Sequence, residues 1–101
     1  MTIQYNEVEH TELLNSFSEV FHTTLEAHGA EIRDESEDSV IYYLNGVFFY
    51  LRMVQFEGCK PFITLNASYN GELLSIKTNI SKVTVYGAGS ELETFISKTV
   101  K

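Results

Sequence analysis

Two Asn-Gly dipeptides, at residues 45–46 and 70–71, constrain this chain more than any other feature. A two-residue hairpin turn needs positive φ at both central residues, a conformation that asparagine and glycine accept and most residues resist. Each dipeptide sits between stretches rich in β-branched and aromatic residues, 39–44 and 47–56 around the first, 62–69 and 72–79 around the second. Two antiparallel hairpins are therefore predicted, joined by a turn at 57–61.

A two-residue turn also sets the pairing, and the pairing sets the faces. In the second hairpin Tyr69 meets Glu72, Ala67 meets Leu74, Leu65 meets Ile76 and Ile63 meets Thr78, giving one largely apolar side. The other side carries Ser68 with Leu73, Asn66 with Ser75 and Thr64 with Lys77, mostly polar groups suited to water. The first hairpin behaves differently. Leu44 with Val47, Tyr42 with Phe49 and Val40 with Leu51 form one apolar face, and Ile41, Tyr43, Phe48 and Tyr50 form a second. Helices packed on one side would leave that second patch bare unless residues 2–8 or a partner cover it, so the patch suggests a homodimer or a bound protein.

Ahead of the hairpins, Leu13, Leu14, Phe17, Val20, Phe21 and Leu25 recur at helical three-and-four spacing, predicting a helix over 9–28 that stops at Gly29. Short strand character follows at 30–33, then an exposed loop at 34–38, Asp-Glu-Ser-Glu-Asp. After the second hairpin the alternation of 82–86 predicts a fifth strand. Ser90 and Glu93 read as a capping box opening a helix over 91–99, with Leu92, Phe95, Ile96 and Val100 on its buried face. The expected architecture is α+β: an N-terminal helix, an antiparallel meander of about five strands and a C-terminal helix, in one domain of 101 residues.

Charge is the second informative feature. Residues 1–50 hold ten acids against Arg33 alone, a balance of −9, while 51–101 hold four acids against six bases, a balance of +2. Direct binding to nucleic acid is disfavoured, because it depends on lysine and arginine neutralising phosphates. A protein partner with a basic surface fits, met by Glu12, Glu19 and Glu26 along one stripe of the first helix and by Glu31, Asp34, Glu35, Glu37 and Asp38 beside it.

Catalytic and metal-binding patterns are weak. The 34–38 acids lack the glycine and distal glutamate of a calcium loop. His10, His22 and His28 point about 120° apart around a helix and do not converge on a zinc geometry. Cys59 lies beside Lys60 with no base placed near it by sequence, and Gly87-Ala88-Gly89-Ser90 lacks the third glycine of a dinucleotide fingerprint. No enzyme activity, cofactor or metal is expected. No basic-then-apolar leader or membrane-length apolar run is seen, and with a single cysteine the chain reads as cytoplasmic, with no membrane partner.

These features together imply a non-enzymatic, acidic protein-binding module. Its type would be the inhibitors or regulators, anti-defence or anti-CRISPR-like, that bacteriophages and mobile elements direct against basic, nucleic-acid-handling proteins. The alternative is a small acidic dimeric chaperone of the secretion type, holding a client segment through its sheet.

Overall fold

The computed structural model describes residues 7–80 and 82–99. Helix α1 (Glu7–Ala27) leads into strands β1 (Glu31–Glu35), β2 (Ser39–Leu44), β3 (Val47–Val54), β4 (Phe62–Tyr69) and β5 (Glu72–Lys77), and helix α2 (Val85–Thr99) closes the chain. The strands form one antiparallel sheet in sequence order, β1-β2-β3-β4-β5. This is the α+β meander that the sequence predicts.

Both Asn-Gly turns form with the expected register. Asn45 and Gly46 take φ of 50° and 83°, and Leu44 pairs with Val47, Tyr42 with Phe49 and Ile41 with Tyr50. Asn70 and Gly71 take φ of 54° and 85°, and Tyr69 pairs with Glu72, Ala67 with Leu74 and Leu65 with Ile76. Thr78 lies past the end of the ladder but still donates its N–H to the Ile63 carbonyl at 3.0 Å.

Both helices pack on one face of this sheet. Phe17, Phe21 and Leu25 of α1 and Leu92 and Ile96 of α2 meet Phe49, Leu65 and Ile76, all nearly inaccessible to water. Phe49 meets Phe95 edge-on at 5.8 Å between ring centroids. Each such side chain contributes about 1.5–3 kcal/mol through burial, so this inner face supplies most of the driving force for folding. Where the helices meet, a Cβ on Gly89 would lie 3.0 Å from Val20 Cγ2, so the absent side chain sets how closely α2 approaches α1.

Three local expectations are corrected. The predicted strand over 82–86 does not form; α2 begins at Val85, because the Thr84 hydroxyl accepts the Gly87 N–H at 2.9 Å and caps the helix there. Ser90 consequently lies inside α2, where its carbonyl accepts the Thr94 hydroxyl at 2.9 Å, and the predicted capping box is not the helix start. The fifth strand is β1 instead, which takes in Asp34 and Glu35 and shortens the acidic loop to Ser36–Asp38. All five β1 residues are exposed. An edge strand needs a partner on one side only and no buried face, so hydrophobic alternation does not reveal it. Its register also slips between Ile32 and Asp34, a bulge of the kind that discourages further strands from adding.

Helix α1 ends as Gly29 leads one to expect. Gly29 takes φ of 89°, its N–H bonds to the Glu26 carbonyl at 2.9 Å, and the Ala30 N–H bonds to the Leu25 carbonyl at 3.0 Å. His28, in that final turn, donates from Nε2 to Glu93 of α2 at 2.9 Å, tying the two helices together. Val100, expected on the buried face of α2, lies outside the described residues. So do residues 2–6 of the segment considered as a cover for the aromatic patch.

Candidate protein-binding surfaces

The acidic residues divide into two sets that the fold brings to one flank. Glu12, Glu19 and Glu26 stand seven residues apart, so about 100° of turn per residue returns each to nearly the same direction on α1. Asn15, Ser18 and His22 lie between that stripe and the buried face. His22 marks what they look toward: its Nδ1 is 2.7 Å from the Tyr42 hydroxyl on β2, while its Nε2 is 2.7 Å from Glu26. In the neutral ring, Nε2–H donates to the carboxylate and Nδ1 accepts the Tyr42 O–H.

Tyr42 also senses β1. Burial first, then the charges of Glu35 and Glu26, push its phenol above the ordinary 10.0. A single phenol thus feels one carboxylate from each set. Farther along, a cavity of about 260 Å³ opens between α1 and the β1–β2 turn, lined by Leu14, Ser18, Glu35, Glu37 and Asp38 and by one cation, Arg52. The stripe of α1 and the edge of the sheet therefore form the two walls of one acidic flank.

Few close ion pairs form on it among the described residues, Arg52 lining the cavity without reaching a carboxylate. Glu26 pairs with His22, and Glu31 pairs with Arg33 at 3.4 Å. Glu12, Glu19, Asp34, Glu35, Glu37 and Asp38 have no ion-pair partner among the described residues. Within the turn, Asp38 accepts the Ser36 hydroxyl at 3.2 Å and the Ser36 N–H bonds to the Ser39 carbonyl at 2.8 Å, so the carboxylates stand on a defined backbone.

The second candidate surface lies on the opposite side of the sheet. Ile41 and Tyr43 are half-buried, while Phe48 and Tyr50 are 44% and 49% exposed. Neither helix covers them. The Tyr43 and Phe48 rings meet at 5.1 Å between centroids, tilted by 56°, and the Arg33 guanidinium lies 4.3 Å over the Tyr43 ring. Leu73 of β5 extends the patch and is 79% exposed. Beside these rings runs a row on the same face, Ser39, Arg52, Thr64 and Lys77, paired strand to strand, in which Arg52 and Lys77 are exposed and Thr64 is buried between them. Arg52 and Lys77 have no ion-pair partner among the described residues.

Sequence reading placed the four hairpin residues on this face but missed the additions to it. Leu73 was legible from its pairing with Ser68, whereas the reach of Arg33 over Tyr43 depends on the β1 bulge. The link from Tyr42 through His22 to Glu26 was missed too, since it needs α1 docked on β2.

The remaining candidates stay apart. His10 donates from Nε2 to the Pro61 carbonyl at 2.7 Å, and the three histidines serve three different contacts. Cys59 is exposed in the β3–β4 turn. Among the described residues, no three His, Cys, Asp or Glu side chains gather to hold a metal, and no helix is long and apolar enough to cross a membrane. No protein-family model, curated protein or solved structure matches the chain.

Proposed function

We propose that the protein is a non-enzymatic binding module whose acidic flank engages a basic, nucleic-acid-handling protein. It would act as an inhibitor or regulator of the sort that phages and mobile elements encode. The observation that carries this reading is the meeting of two carboxylate sets at Tyr42, one from α1 and one from β1, with six of the acids left without a cationic partner among the described residues. Repulsion between neighbouring carboxylates opposes folding, and a basic partner would relieve it on binding. A negative flank also mimics the potential of a phosphate backbone, so it competes for surfaces built to hold nucleic acid.

The test is competition. A panel of basic nucleic-acid-handling proteins is presented with labelled DNA, and the chain is titrated in at increasing salt. DNA displacement that weakens at least tenfold as salt rises from about one Debye length of 30 Å to one of 8 Å supports the reading. A combined Glu12→Lys, Glu19→Lys and Glu35→Lys variant, with all three changes on the helix side of the sheet and checked for folding by circular dichroism, should lose displacement altogether. Displacement indifferent to both salt and charge reversal would remove the acidic flank from the account.

A further inference from the structure

The outer face of the sheet carries a different inference, one that does not depend on the acidic flank reaching its partner. From the charge pattern across that face we infer that it is the interface of a homodimer, in which two sheets pack face to face about a twofold axis running parallel to the strands over β3.

Three observations lead there. First, the middle of the face is aromatic and only partly covered, with Phe48 and Tyr50 exposed and Tyr43 half-buried. Tyr43, Phe48 and Tyr50 on β2 and β3 occupy the centre of a five-stranded sheet, with Leu73 toward one side. Tyrosine and phenylalanine at the centre of a patch, with charge at its margins, is the composition of an interface core.

Second, the charges at the margins have opposite sign on opposite edges. The β1 edge carries Glu31 and Asp34, with Glu37 and Asp38 in the adjoining turn, and Arg33 there is engaged with Glu31 and Tyr43. The β5 edge carries Lys77, with no acidic partner among the described residues. Two axes would keep the strands of two facing sheets aligned. One across the strands lays β1 on β1 and sets these acids against their own copies. The axis along the strands lays β1 of one copy on β5 of the other, because the strand order places β3 in the middle. Lys77 then stands opposite the Ser36–Asp38 turn and Asp34 of its partner, twice per dimer. The like-charged meeting that remains is Arg52 with its own copy, at the rim, where solvent screens it.

Third, the area suffices. Five strands spaced about 4.8 Å apart and about six residues long present roughly 500 Å² per copy, or about 1,000 Å² in all, the lower bound for a specific interface. Such a dimer leaves the α1 stripe of both copies open.

Sedimentation equilibrium over a hundredfold range of concentration tests the inference, with unfolding curves run in parallel. The expected mass is twice the 11.5 kDa of one chain. Tyr50→Glu, which places a carboxylate on the axis against its own copy, should weaken dimerisation at least about a hundredfold while the monomer keeps its secondary structure. Should that variant misfold, the edge charges decide: Lys77→Glu and Asp34→Lys should each weaken the dimer about tenfold, and together recover most of the loss. A wild-type monomer throughout the range would overturn the proposal, as would a dimer unmoved by all three changes. Strengthening by Asp34→Lys alone would overturn the axis, since it would mean that β1 lies on β1. A wild-type monomer that instead captures an extended client peptide or single-stranded DNA through Tyr43 and Phe48 would give the face to another occupant.

Discussion

The β2–β3 hairpin has two faces of similar composition and opposite fates. Tyr42, Leu44, Val47, Phe49 and Leu51 point inward and are buried beneath the helices; Tyr43, Phe48 and Tyr50 point outward and are not. Phe48 and Phe49 are neighbours in sequence, yet one is 44% exposed and the other 0%. Hydrophobicity is thus necessary for burial but does not choose the side. The choice is made by the helices, which cover one face of the sheet with the buried stripes of Leu14, Phe17, Phe21 and Leu25 and of Leu92, Phe95 and Ile96.

Truncating the two phenylalanines gives the sharpest test of this contrast. Phe49→Ala should lower unfolding free energy by about 3–5 kcal/mol, through lost burial and the cavity left against Phe95. Phe48→Ala should cost under about 1 kcal/mol in the monomer, measured by denaturant unfolding at low concentration. Equal losses would mean that the outer face is also covered. Next in size, Gly89→Leu forces a side chain into the 3.0 Å approach to Val20 and should cost about 1–3 kcal/mol, because α2 must move off α1. A neutral outcome in thermal melts would show that the inner layer has room to give.

Smaller still, Thr84→Ala removes the cap of α2 and should cost about 1 kcal/mol, whereas Ser90→Ala, at the position sequence reading favoured as a cap, should change stability little. The reverse result would place the helix start back at residue 90. The smallest effect belongs to pH. The Tyr42 pKa is raised in the folded state, so its contribution is fully present below the unfolded value of about 10 and is lost as pH rises through the higher folded value. Stability of the wild type should therefore fall above about pH 10 more steeply than that of Tyr42→Phe, which has no phenol to ionise. Parallel alkaline titrations of the two proteins by circular dichroism check it.

Much of the fold was open to sequence reading, for reasons that are local. Asn-Gly turns demand a backbone conformation few other residues tolerate, so both hairpins and the pairing through Leu65–Ile76 and Tyr42–Phe49 followed directly. The three-and-four spacing of Leu14, Phe17, Phe21 and Leu25 marked α1 and its buried side. What escaped lay where local signals compete. Val83 and Val85 alternate as a strand would, yet the Thr84 cap and the small residues Ala88 and Gly89, buried against α1, make the segment the entry to a helix. Asp34 and Glu35 look like loop residues because an edge strand buries nothing.

The chain by itself thus determined its turns, its strand register and its amphipathic helices, because each depends on contacts between near neighbours. Docking of the helices decided the rest. It put Tyr42 under α1 and left Tyr50 bare, and it brought Glu26 and Glu35 to one phenol although β1 and α1 are separate elements. A charge stripe or an aromatic patch becomes a surface only when the layers are stacked, and stacking is a property of the whole hydrophobic core rather than of any segment.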